Sequence, residues 1–191
     1  MLEILKEHIG RFVEISEQDY PEILAYFKPL HVGKKQNLLV EGKVCSVNYF
    51  VVKGCLRLFF VNEKGIEQTT QFALENWWLA DYTSFSSNKP SDLYIQAVEK
   101  SDVLAITFTA QEEMLEKFPR MERYFRLIHQ RAHAAFQFRI RILYNLSREE
   151  MYRHFNTHFP EFVQRIPQYL LASFLGFTPE YLSEIRSKRI S

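Results

Sequence analysis

Thr178, Glu180, Tyr181, Ser183, Glu184, Arg186, Lys188 and Arg189 set hydroxyls, carboxylates and cations along the last short segment of the chain. That mixture suits hydrogen bonding to base edges and phosphates. Glutamate can accept from a cytosine amino group, while arginine and lysine neutralise phosphate oxygens. Gln168 and Tyr169, a little upstream, join Arg186, Lys188 and Arg189 as candidates for phosphate contact. Bond-making chemistry is harder to find. His129 with His133, and His154 with His158, lie four apart on predicted helices, a spacing that can bring two imidazoles to one metal. Neither pair has the intervening glutamate or an obvious third ligand, so solvated helix faces are the simpler expectation. Only His31 lies near the predicted strands, where a metal-dependent barrel enzyme needs a cluster of histidines. A Gly-rich phosphate loop and a Gly-x-Ser-x-Gly elbow are both missing. No catalytic residue and no metal site is expected.

Two short helices must position the polar segment. Pro167 suits a helix start, where its missing N–H would be unpaired anyway, and Leu171, Phe174 and Leu175 recur at helical spacing from about Gln168. Ala172 is small where a second helix must cross, and Gly176 can take the positive φ that ends the first. Thr178 can cap the next helix and Pro179 can open it. Leu182 and Ile185, three apart, turn one stripe inward. This spells a helix-turn-helix, whose outward face would meet the major groove of DNA. A plain helical hairpin is the alternative.

With 47% hydrophobic and 25% charged residues, 191 residues suffice for a folded core in one or two domains. No stretch approaches the roughly 18 uncharged apolar residues of a membrane span, and Met-Leu-Glu-Ile-Leu-Lys-Glu-His lacks signal-peptide form. A cytoplasmic protein without membrane contact is expected. Cys45 and Cys55 are too few for a four-thiolate cluster, and in that compartment they read as small buried strand residues rather than a disulfide. Residues 1–119 hold 12 Lys+Arg against 17 Asp+Glu, net −5, whereas residues 120–191 hold 12 against 6, net +6. The basic end coincides with the predicted DNA-reading helices.

Short helices are predicted over the first thirty or so residues. Strand-like runs follow at 38–40, 49–52, 56–61, 67–72, 94–98 and 103–106, punctuated by Glu41-Gly42, Lys53-Gly54, Asn62-Glu63-Lys64-Gly65 and Lys89-Pro90-Ser91. Six or more such strands indicate a sandwich, jelly roll or barrel. A helix is predicted after Thr109, a break at Phe118-Pro119, and one long helix from about Arg120 to Asn145. Phe125, Ile128, Ala132, Ala135 and Ile142 nearly keep a three-four alternation along it, with Arg139 in the one missing place. That seam suits a partner helix; the alternative is that it packs on the chain's own strands. Ser147-Arg148-Glu149-Glu150 is a capping box, and Phe159-Pro160 to Arg165 reads as a connector.

Leu39-Val40-Glu41-Gly42, Tyr49-Phe50-Val51-Val52-Lys53-Gly54-Cys55-Leu56-Arg57-Leu58 and Glu63-Lys64-Gly65, with Leu170 to Arg186, resemble in order the barrel strands, hairpin glycines and helix-turn-helix of the cyclic-AMP receptor protein and FNR (CRP/FNR) family of bacterial transcription regulators. The resemblance spans nearly the whole chain. It implies an α+β fold: a cyclic-nucleotide-binding-like β-barrel of double-stranded β-helix or jelly-roll form (1–119), a dimerisation helix (120–146) and a C-terminal winged helix-turn-helix (147–191). It further implies a homodimer on double-stranded DNA, with RNA polymerase as a further partner and a small effector.

The ligand cassette departs from the family. The family's Gly-Glu-Leu and Arg-Ser segments correspond to Ala80-Asp81-Tyr82 and Ser91-Asp92. Ser91 brings no positive charge where arginine is expected, and Asp92 would repel a phosphate, so cyclic AMP is not expected. Trp77, Trp78, Tyr82 and Phe85 either line a pocket for another effector or fill the cavity. The family's two base-reading arginines fall on Pro179 and Glu184, and its glutamate on Glu180, so the preferred DNA site must differ. The competing function is a small-molecule-binding barrel whose helical tail only dimerises or docks a protein.

Overall fold

A computed structural model of the protein describes residues 1–187. Lys188 and Arg189, named above as phosphate contacts, lie outside the described residues. The elements run α1 (Leu2–Gly10), α2 (Tyr20–Ala25), β1 (Lys28–Val32), β2 (Asn37–Leu39), β3 (Val47–Lys53), β4 (Leu56–Val61), β5 (Glu67–Ala73), β6 (Trp78–Leu79), α3 (Tyr82–Ser87), β7 (Tyr94–Ala97) and β8 (Ser101–Thr107). Helices complete the chain: α4 (Phe108–Lys117), α5 (Pro119–Asn145), α6 (Arg148–His158), α7 (Pro160–Arg165), α8 (Gln168–Leu175) and α9 (Pro179–Ser187).

The strands form two four-stranded sheets, ordered β1-β8-β3-β6 and β2-β7-β4-β5, rather than the closed barrel expected from sequence. Closure needs edge strands long enough to pair with each other. Here β6 has two residues and β2 three, so their ladders stop first. Strand alternation sends neighbouring side chains to opposite faces. Phe50, Val52, Leu104 and Ile106 enter one core with Leu5, Ile9, Ile23, Met114, Met121, Tyr124, Phe125 and Ile128 from the helices. Tyr49, Val51, Val103 and Ala105 enter a second with Leu39, Leu56, Leu58, Leu79, Ile95 and Ala97. Both β3 and β8 are therefore buried on both faces, which explains their unbroken apolar spelling.

β1, β6 and α3 have no counterpart among the elements expected from sequence. β1 carries Pro29, which cannot donate to a ladder, and it survives as an edge strand pairing with β8 alone. α3 is short and is capped by Asp81, whose carboxylate accepts from the Thr83 and Ser84 amides. The predicted helix start after Thr109 shifts upstream: Thr107 is the cap, accepting from the Ala110 amide, and α4 begins at Phe108. The connector at 160–165 is helical. The Ser147 capping box forms as spelled, with both reciprocal bonds to Glu150.

The chain divides into two compact units. One comprises 1–60 and 70–130; the other comprises 61–69, the tip of the β4–β5 hairpin, with the chain from Arg131 onward. Among the described residues no strand follows β8, so the expected wing is not seen there. No helix among them is long and apolar enough to cross a membrane.

Candidate nucleic-acid interface

α8 starts where Pro167 turns the chain, its carbonyl accepting from the Leu170 and Leu171 amides at 3.0 Å. The helix ends at Gly176, φ 74°, and the Phe177 amide reaches back to the Ala172 carbonyl at 2.8 Å. That is the six-to-one closure of a Schellman turn, with Phe177 itself buried. Thr178 Oγ1 then accepts from the Tyr181 amide at 3.2 Å and opens α9. Leu171, Ala172, Leu182 and Ile185 are all buried, so the inward stripe spelled by the sequence packs as spelled.

The remaining face of α9 is open. Glu180, Ser183, Glu184 and Ser187 are exposed, and Tyr181 and Arg186 are half-buried. Gln168, Tyr169 and Thr178 are exposed as well. Tyr181 also has a structural part: its ring stands edge-on to Phe177 at 5.7 Å, and the Arg148 guanidinium lies over it at 5.4 Å.

Along α5 the expected seam splits in two. Phe125 and Ile128 belong to the first core and are covered by their own subunit. Ile142 is buried, Ala132 half-buried and Ala135 exposed. A different stripe stays bare: Phe136 is 56% exposed, Ile140 36% and Tyr144 84%. With Ala132 these lie four residues apart, one continuous ridge on the helix. Arg139, the odd residue of the sequence seam, turns away from it. Its Nη2 donates to the Phe174 carbonyl at 2.7 Å and its guanidinium stacks on the Phe174 ring at 3.9 Å. Burial lowers its pKa to about 10, which leaves it charged at neutral pH beside the negative end of α8.

The cassette residues come together, but they bind each other. Asp81 Oδ1 accepts from the Thr83 and Ser84 amides at 3.1 and 3.4 Å, while Oδ2 accepts from Ser91 Oγ at 2.6 Å. Asp81, Ser91 and Ala80 are buried; Asp92 is exposed. Trp78, a candidate pocket residue, instead fills the first core. Its Nε1–H donates to the Tyr124 hydroxyl at 2.9 Å, and that hydroxyl lies 2.8 Å from His8 Nδ1. Burial pushes the Tyr124 hydroxyl pKa up. Trp77 packs at the edge of the second core. Tyr82 keeps an open ring edge against His129, 4.9 Å away, while its hydroxyl donates to the buried Asn48 Oδ1 at 3.4 Å. Burial raises the pKa of Tyr82 and lowers that of His129.

His154 and His158 stack at 4.1 Å, and the His158 Nδ1 contact goes to the His154 carbonyl at 2.9 Å. No group of three or more His, Cys, Asp or Glu placed to hold a metal occurs among the described residues. Cys45 and Cys55 are both buried and not joined by a disulfide, but neither is a strand residue as expected: Cys45 precedes β3, and Cys55 lies at the corner between β3 and β4.

Comparison with known proteins adds a domain match and a shared fold to this geometry. The cyclic nucleotide-binding domain matches residues 29–118. Among curated proteins none matches the chain. Several solved structures share the fold at low identity. The c-di-GMP responsive global regulator CLP of Xanthomonas campestris superposes with a TM-score of 0.72 at 13% identity, covering 91% of each chain. FixK2 from Bradyrhizobium japonicum gives 0.69 at 16%, over 85% of this chain and 83% of that one. A CooA mutant from Carboxydothermus hydrogenoformans gives 0.69 at 15%, over 95% and 82%.

Proposed function

We propose, from the CRP/FNR resemblance, supported by the matching cyclic nucleotide-binding domain and the fold shared with these structures, that this chain is a dimeric, DNA-binding transcription regulator of the cytoplasm. The observation that carries the reading is the division of α9. Leu182 and Ile185 are buried while Glu180, Ser183 and Glu184 stand in solvent behind a Thr178 cap. A recognition helix needs that combination, because only a helix anchored on one face can offer the other to a groove. Glu180 would accept from a cytosine amino group, and Gln168, Tyr169 and Arg186 would hold phosphates. The bare ridge Ala132, Phe136, Ile140 and Tyr144 would join two copies, and RNA polymerase would be the further partner of the bound dimer.

The effector, in this reading, is not cyclic AMP. The family meets the cyclic phosphate with an arginine at the place of Ser91, and here the Ser91 hydroxyl instead donates to the Asp81 carboxylate at 2.6 Å. Bringing a phosphate there would set two anions together in a buried place. Any effector that acts must bind one dimer arrangement better than another.

Two carboxylates on the reading face, Glu180 and Glu184, favour the alternative in which the tail docks a protein instead. Salt dependence separates the two. A dimer that neutralises about six phosphates should lose about a thousandfold in DNA affinity between roughly 50 and 200 mM salt, measured by gel shift or anisotropy. Binding that ignores salt, or no DNA binding at any salt, favours the docking tail.

A further inference from the structure

Ser173 on α8 makes contacts that packing of α8 against α9 does not call for. The Thr69 amide donates to Ser173 Oγ at 2.8 Å, and the Ser173 hydroxyl donates to the Glu67 carbonyl at 2.8 Å, with Thr69 Oγ1 a more distant acceptor at 3.4 Å. Residues 67 and 69 lie on β5, and β5 ends its sheet, in the order β2-β7-β4-β5. On such an edge the carbonyl of one residue and the amide of the residue two further on point the same way, ready for another strand. One side-chain hydroxyl fills that slot, accepting from the amide and donating to the carbonyl. The next residue, Phe174, is held from elsewhere: its carbonyl takes the Arg139 guanidinium of α5, and its ring lies under the same group.

We propose that Ser173 and Arg139 are positioning residues for the DNA-reading helices, fixing the bearing of α8, and through the Gly176 turn that of α9. The proposal rests on the regulator reading above. Apolar burial of Leu170, Leu171, Ala172 and Leu175 gives α8 a sticky face, but hydrophobic contact is non-directional and tolerates small rotations. Hydrogen bonds at two adjacent residues, made to two different elements, remove that freedom. They do so without covering the reading face: Gln168, Thr178, Glu180, Ser183 and Glu184 all remain exposed. A contact that leaves the face open orients it rather than blocks it. Orientation matters because a two-fold dimer must set its reading helices about 34 Å apart, one turn of DNA, so an angular error in one head becomes a spacing error on the operator.

The test uses the full-length protein and DNA duplexes whose half-site separation is varied in steps of one base pair. Ser173→Ala removes both hydrogen bonds, and Ser173→Thr keeps the hydroxyl. The wild type should favour one separation. Ser173→Ala should lose about tenfold of that preference, the worth of about two ordinary hydrogen bonds, and Ser173→Thr should recover most of it. Hydrogen exchange of the Thr69 amide should accelerate in Ser173→Ala and stay slow in Ser173→Thr. Faster Thr69 exchange with an unchanged spacing preference would reduce Ser173 to an edge cap and overturn the inference. An equal loss of affinity at every separation would also overturn it. A wild type that binds no duplex while Thr69 stays protected would remove the regulator reading and this inference with it, the contact itself remaining intact.

Discussion

Placing glutamate at Phe136 and Ile140 together is expected to leave a folded monomer that has lost about a hundredfold or more of its affinity for a two-half-site duplex. Both side chains are exposed in the single subunit, so charging them removes nothing from either core. In a dimer the same positions would face their copies across α5, where buried unpaired carboxylates are strongly disfavoured. The DNA loss follows from linkage. A tethered second reading head binds at a high effective concentration, and a monomer forfeits that gain, typically a factor of about 10² to 10⁴. Sedimentation or light scattering reads the mass, and a titration of labelled duplex reads the affinity. Phe125→Glu with Ile128→Glu serves as the contrast. Those residues lie in the subunit's own core, so that pair should unfold the first unit rather than simply separate two copies. A charged ridge that leaves a stable dimer would place the interface on another surface.

Gly54→Ala is expected to be the most destabilising single methyl in the protein, by more than about 3 kcal/mol. Gly54 takes φ +101° at the corner from β3 to β4, and a Cβ there would lie 2.7 Å from Ser101 Cα and 2.3 Å from Ser101 Oγ. Ser101 cannot easily retreat, since it opens β8 and is registered against Val32 of β1. Its hydroxyl also accepts from the Cys55 amide at 3.2 Å, so the added methyl would displace a hydrogen bond as well as a backbone. Gly42 and Gly65 provide the internal control. Both have positive φ, +80° and +73°, but nothing lies within 4 Å of a Cβ built on either. Alanine there meets only the conformational penalty, about 1 kcal/mol. Urea midpoints of the three variants give the comparison, and a Gly54→Ala midpoint close to that of Gly65→Ala would show that the corner relaxes.

The sequence spelled out what depends on local chemistry. The α8–α9 turn was legible because Pro167, Ala172, Gly176, Thr178 and Pro179 each restrict the backbone or the approach in its own way, and they agree. β3 and β8 were legible because strands buried on both faces have no polar alternation to confuse them. What stayed hidden depends on partners distant in sequence. β1 is spelled Lys-Pro-Leu-His-Val, and only pairing with β8 makes it a strand. Closure of the barrel was misjudged because it turns on the length of edge strands such as β6, and two residues leave no periodic signal.

The long helix shows why a single stripe can mislead. α5 runs for 27 residues and changes its surroundings along the way. Met121, Tyr124, Phe125 and Ile128 face the first core, and further along Phe136, Ile140 and Tyr144 are the bare residues. A three-four pattern drawn through the whole length joins residues with different neighbours, which is how Phe125 and Ile128 came to share a seam with Ala132 and Ala135. The candidate cassette shows a related ambiguity. Asp81 stands where the family has a ligand-binding carboxylate, but Asp81-Tyr82-Thr83-Ser84 at a helix start also spells an N-cap, and the carboxylate accepts from the Thr83 and Ser84 amides. Ser173 gave no sequence signal and Arg139 only a gap in an apolar seam, since both acquire meaning only from the β5 edge and the end of α8.

If two copies of α9 read DNA as a matched pair, selection from a random duplex pool by the purified protein will reveal it. Enriched molecules should carry two half-sites related by a two-fold axis, their centres about 10 base pairs apart or a multiple of that, and Glu180→Ala should change the bases chosen within each half-site. A pool that shows no enrichment, or one whose winners carry a single site indifferent to Glu180, would contradict the account.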